Sequence, residues 1–113
     1  MDDERRKRIR VSLQFSVTVR VGSEEVSVQT WDVSLRGMGC TPDRRFKPEV
    51  PCRVQWILGS GTEFFIDGSI VRCTETEAAI FFDSMDEEAF YHLKRLIQYN
   101  MDDPDVLNKE LAE

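Results

Sequence analysis

The chain has 113 residues, 41% hydrophobic and 32% charged, which fits one globular domain with a modest core and excludes both a disordered chain and a pair of ordinary domains. Its longest apolar run, Ala78-Ala79-Ile80-Phe81-Phe82, is too short to span a bilayer, and no apolar segment follows the charged start Met1-Asp2-Asp3-Glu4; no membrane insertion and no secretory leader are predicted, and the cytoplasm is the expected compartment. The formal net charge of −6 argues against a general nucleic-acid binder, so no DNA partner is expected.

Residues 1–10 read as a flexible basic arm. Arg5, Arg6, Lys7, Arg8 and Arg10 crowd five cations into six positions, while residues 11–113 hold 10 basic and 18 acidic side chains. Such a run is either a solvated tail or a small clamp for anions. From Val11 the pattern becomes strict alternation: Val11, Leu13, Phe15, Val17, Val19 and Val21 on one face, polar residues on the other, which predicts a strand. Gly22-Ser23 with Glu24-Glu25 predicts a turn, and Val26 to about Val33 a second strand rich in Val, Thr and Trp. Met38–Thr41 reads as a short strand with a glycine-rich entry, and Pro42 to Pro51 as a loop, since prolines disrupt a central ladder. Cys52–Leu58 alternates again. Gly59-Ser60-Gly61 marks a hairpin, Thr62–Cys73 a long strand with Gly68 as the place for a bend, and Ala78–Asp83 the last strand. Turn signals every 8–15 residues point to a small antiparallel barrel or sandwich; closure into a barrel would remove exposed edges.

The period then changes. Phe90, Leu93, Leu96 and Ile97 recur at three- and four-residue steps along 86–99, predicting an amphipathic helix that closes one mouth of the sheet. Ser84 and Glu87 have capping-box spacing, with Asp83 and Asp86 as alternative caps. The expected organisation is therefore a basic arm at 1–10, a barrel plus helix at 11–100, and an acidic tail at 101–113, where Asp103-Pro104 could start a short second helix. Cys40, Cys52 and Cys73 are odd in number, lack C-x-x-C spacing and lie in strand-like stretches, so they read as buried thiols rather than disulfides or a zinc site. His92, the single histidine, has no partner at metal-ligand spacing and reads as a packing or surface residue. No metal site and no catalytic constellation is predicted; Ser34, His92 and the acids form no recognisable nucleophile arrangement, and no enzyme is expected.

Two short motifs remain. Arg6-Lys7-Arg8-Ile9-Arg10 has the form R-x-x-x-R just before the first strand, and Asp32-Val33-Ser34-Leu35-Arg36-Gly37 has the form D-x-S-x-x-G at the end of the second. Alone each is weak, and Asp-x-Ser routinely caps turns. Their order, separation and placement together are more specific. The combination resembles the PilZ domain, a bacterial receptor for the second messenger cyclic di-GMP, over about residues 4–98. The resemblance includes Glu4-Arg5-Arg6, the alternating first strand, Gly68-Ser69-Ile70-Val71-Arg72 and Ala79-Ile80-Phe81-Phe82; the absence of a glycine before Ala79 departs from many members.

The resemblance implies an all-β core, a six-stranded antiparallel barrel with a C-terminal helix, and a cyclic di-GMP site made by Arg5, Arg6, Arg10, Asp32, Ser34 and Gly37, with no other cofactor. The chemistry agrees. Guanine offers O6 and N7 as paired acceptors that an arginine fork matches, and guanidinium can also stack on a base or clamp phosphate. Asp32 is a suitable acceptor for the N–H donors on guanine's other edge, Ser34 can donate to phosphate or accept from a base nitrogen, and Gly37 would permit a sharp turn and close backbone approach by the ligand. In the family the Arg5 position is associated with binding one ligand or a stacked pair, and arginine is compatible with the pair. Lys7 and Arg8 supply general positive potential, Arg36 reaches phosphate or faces solvent, and Arg72 is the simpler fit to a salt bridge. The implied function is a stand-alone receptor and adaptor that signals to an unidentified effector protein. The alternatives are a ligand-independent PilZ-like interaction module in motility or pilus control, and a small barrel using its basic arm on nucleic acid.

Overall fold

The computed structural model of the protein describes residues 10–100. Seven strands and one helix follow in order: β1 (Val11–Ser12), β2 (Ser16–Val21), β3 (Glu24–Val33), β4 (Gly37–Cys40), β5 (Pro51–Ile57), β6 (Glu63–Cys73), β7 (Ala78–Ser84) and α1 (Glu87–Tyr99). All pairings are antiparallel. The sheet runs β3-β2-β5-β6-β7-β4 and closes through β3–β4, giving the six-stranded barrel. Short β1 adds to β3 beyond the end of β2.

The first predicted strand is thus two. Val11 and Ser12 pair with Val33 and Asp32, and the ladder resumes only at Ser16 opposite Gln29. Over this gap the chain advances four residues while β3 advances three, so one residue lies out of step. The buried Thr30 stitches the gap: its Oγ1 accepts from the Phe15 N–H and donates to the Leu13 carbonyl, 3.1 and 2.5 Å away. The alternation survives in burial, with Val11, Val17 and Val19 in the core and Leu13 and Phe15 packed at its margin.

The other elements shift by one or two residues. Gly22 and Ser23 alone form the β2–β3 turn, Gly22 at φ +62° as a two-residue hairpin demands. Pro51, assigned to the loop by its missing N–H, opens β5, the one strand position where that lack matters least. Phe46, in the loop before it, is 4% exposed and joins the core, which its position among prolines and charges gave no sign of. Gly68 does mark irregularity: the register with β7 slips between Asp67 and Gly68, and a Cβ there would run into the Phe81 carbonyl.

Val54, Trp56, Ile66, Ile70, Met38 and Val33 fill the barrel, each with essentially no exposure. Helix α1 adds Ala89, Leu93 and Ile97, four residues apart on one stripe. Of the candidate caps, Asp86 serves, accepting from the Ala89 N–H at 2.8 Å; Ser84 is still paired in β7 and Asp83 accepts from the Ser69 hydroxyl. An aromatic column ties helix to barrel: Phe15, Trp56, Phe64 and His92 stack with successive centroids 5.8, 5.7 and 5.4 Å apart. His92 is a packing residue, its side chain 19% exposed and its Nε2 4.0 Å from Glu88. Among the described residues no helix is long and apolar enough to cross a membrane.

Candidate functional site

The site begins with a conflict in β3. Val26, Val28 and Thr30 alternate inward, and continuing that period would turn Asp32 into the core, where a lone carboxylate is costly. The strand resolves this with a bulge. Thr30 pairs with Cys40, but Asp32 pairs with Gly39 and Val33 with Met38, leaving Trp31 as the extra residue. The period flips there. Trp31 and Asp32 both stand on the outer side, and Val33 regains the core.

Asp32 is held rather than loose. Its Oδ1 accepts the Gly39 N–H at 2.9 Å and lies 3.7 Å from Arg10 Nη1. Arg10 reaches it because Ser12 is the direct partner of Asp32 in the β1–β3 ladder, so the root of the basic arm is sewn beside the carboxylate. Both side chains remain well exposed, at 47% and 39%. An exposed pair at that separation contributes little to stability, and the arginine fork stays available to other acceptors.

Gly39 shapes the same corner. A Cβ there would lie 2.8 Å from Asp32 Oδ1, 3.2 Å from Trp31 Cδ1 and 3.5 Å from Trp31 Nε1. Carboxylate and indole thus share the space over this glycine, which the sequence showed only as an interruption.

Ser34 and Gly37 have structural duties. Ser34 is 4% exposed; its N–H donates to the Gly37 carbonyl at 2.9 Å and its Oγ accepts from the Arg36 N–H at 3.1 Å, closing the turn between β3 and β4. Gly37 does not have the left-handed φ that a glycine-dependent turn would need; among the described glycines that belongs to Gly22 and Gly61. Its want of a side chain serves β7, since a Cβ would meet the Ile80 carbonyl at 2.5 Å. A close backbone approach at Gly37 is made by the neighbouring strand β7. Arg36 is exposed, while its carbonyl accepts the Phe82 N–H. Arg72 pairs with Glu77 at 3.3 Å, the expected salt bridge. Arg5 and Arg6, and the whole 101–113 tail with its suggested helix, lie outside the described residues.

Among the described residues, clefts of about 450 Å³ around Pro42, Phe46 and Cys73 and of about 340 Å³ around Arg53, Phe65 and Asp86 contain none of the expected site residues. Among the described residues no group of three or more His, Cys, Asp or Glu could hold a metal ion.

The cysteines are free. Burial pushes the Cys40 thiol up to about 12 and the Cys52 thiol up to about 11. Native protein at pH 8 should therefore label slowly at both positions with a thiol reagent and quickly once unfolded. The raised values also predict loss of stability at high pH. Below the ordinary thiol value of 9.0 both folded and unfolded chains hold the protons; from there to about 11 at Cys52 and about 12 at Cys40 only the folded chain does, so stability falls as pH rises through that window. Rapid native labelling of Cys40 would contradict the burial described.

Comparison with known proteins gives a consistent result. The family model described as PilZ domain matches residues 4–99. The fold is similar to the PilZ domain of CeSA from a cellulose-synthesizing bacterium, with a TM-score of 0.68 and 20% identity over 79% of this chain and 94% of that one. It is similar to the PilZ domain of YcgR from Escherichia coli, solved with c-di-GMP, with a TM-score of 0.70 and 16% identity over 85% of this chain and 91% of that one. It is also similar to PlzA of Borreliella burgdorferi, solved in complex with c-di-GMP, with a TM-score of 0.60 and 12% identity over 75% of this chain and 38% of that one.

Proposed function

The chain belongs to the PilZ domain family, and from that premise we propose that it is a non-catalytic cytoplasmic receptor for cyclic di-GMP, signalling to an effector protein. The PilZ domain of YcgR and the PlzA protein, both solved with this ligand, support the choice of messenger. The observation that carries it here is the meeting of Arg10 with Asp32 at 3.7 Å on the outer barrel surface, the last residue of one motif beside the first residue of the other.

In this reading Arg6 and Arg10 direct their forks at guanine O6 and N7 or at phosphate. Asp32 accepts from the N–H edge of a guanine. Ser34 and Gly37 belong to the site mainly by holding the turn and the β7 contact that aim Asp32 outward. The ligand replaces the loose Arg10–Asp32 pair with shorter contacts and draws the arm against the barrel, and the newly covered surface is what the effector reads. Arg5 adds a further fork and supports a stacked pair of ligands; one ligand per chain would leave it only a share in the general charge.

The test is titration calorimetry with cyclic di-GMP, with GTP as control. We expect micromolar or tighter binding, about −8 kcal/mol or better, and no comparable heat with GTP. A folded chain that gives no heat at high messenger concentration would overturn the proposal.

A further inference from the structure

We propose that Trp31 is a base-stacking platform of this site, its indole taking the face of one guanine while Arg10 and Asp32 engage the base edges. The inference rests on the receptor reading and goes beyond its two motifs, since Trp31 belongs to neither.

The argument starts from the bulge. In a regular strand adjacent residues face opposite sides, so an aromatic ring and a carboxylate in sequence cannot serve one ligand. Here the extra residue in β3 turns Trp31 and Asp32 to the same side. Gly39 then removes the side chain that would separate them, leaving Cδ1 and Nε1 of the indole and Oδ1 of the carboxylate over one glycine. The carboxylate is fixed by the Gly39 N–H, and the Arg10 guanidinium approaches it from the residue just before β1. The resulting corner has a hydrogen-bond acceptor, a forked donor 3.7 Å from it and an aromatic surface on the adjacent residue of β3. That combination suits a planar heterocycle with donors and acceptors on its rim, which is what guanine is. Trp31 is 36% exposed, so its ring is reachable, whereas Trp56 is fully buried.

Two measurements test this. By calorimetry, Trp31→Ala should weaken cyclic di-GMP binding about 5- to 150-fold, the effect of losing one base–aromatic stack, and Trp31→Phe should keep most of the affinity. By iodide quenching of wild-type fluorescence, which needs no substitution, the iodide-accessible emission of Trp31 should disappear at saturating ligand, leaving the inaccessible emission of Trp56. Wild-type binding with unchanged affinity in a folded Trp31→Ala chain, or full iodide access in the saturated complex, overturns the inference while the receptor reading stands. A wild-type chain that gives no heat with cyclic di-GMP overturns both.

Discussion

Arg10→Ala will weaken cyclic di-GMP binding about 5- to 150-fold or more, with a thermal melt within a few degrees of wild type. The lower figures follow from the roughly 1–3 kcal/mol that a bidentate arginine–guanine pair contributes to discrimination, converted to an affinity ratio. Losses beyond that range arise if the same guanidinium also touches phosphate, because its charge-assisted bonds are then lost together. Stability should barely respond. The pair Arg10 makes with Asp32 is exposed on both sides and 3.7 Å apart, in the class of ion pairs that typically contribute no more than about 1 kcal/mol. Arg6→Ala is expected to match it in affinity. Lysine at position 10 separates charge from geometry: it keeps the cation and loses the planar fork, so it should recover only part of the binding. Unchanged affinity in Arg10→Ala would remove Arg10 from the site, since among the described residues it is the arm residue brought to Asp32.

Gly37→Ala will do the reverse. The added methyl would sit 2.5 Å from the Ile80 carbonyl, a backbone atom held in the β4–β7 ladder where Gly37 faces Phe81. It cannot be relieved by rotating a side chain, so β4 and β7 must separate. Overpacking of this kind costs about 1–3 kcal/mol, which for a chain of this size lowers the melting temperature by roughly 5–15 °C. Affinity measured well below the melt should fall less than in Arg10→Ala. The comparison decides what the motif glycine does. A variant that melts like wild type yet no longer binds would return Gly37 to direct ligand contact; one that melts early and binds when cold confirms that it serves the barrel.

These two substitutions divide the motif chemistry by element. Asp32 directs its carboxylate outward, and Ser34 and Gly37 hold the backbone that lets it do so. A D-x-S-x-x-G string read as a set of ligand contacts therefore conceals an internal division: one outward acceptor supported by a turn and a strand junction. Arg10 joins it through β1, a strand of only two residues whose value lies in where it places the arm.

Much of this was legible beforehand. Alternation from Val11 to Val21 and along 52–58 marked residues that do face the core, and the glycine turns at 22 and 59–61 fell where hairpins form. The helical stripe through Leu93 and Ile97 was equally clear, and the two motifs named Arg10 and Asp32 before any geometry was known. Such features are local: a strand's period, a turn's φ and a helix's repeat depend on residues within a few positions of each other. The cap of α1 was already ambiguous, because three acids or hydroxyls near 83–86 could each accept from the helix, and only the pairing of Ser84 and Asp83 elsewhere left the role to Asp86.

What the tertiary structure alone decided is how strands meet. The break between β1 and β2, the bulge at Trp31 and the approach of β7 to Gly37 are properties of two chains of residues in register, and the partners lie far apart in sequence. Strict period would have sent Asp32 inward; the cost of burying its charge and the gain from burying Val33 are settled together by one extra residue, visible only against Gly39 and Met38 across the ladder. That non-local compromise is what turns a tryptophan and an aspartate, neighbours in the sequence, into neighbours on one surface.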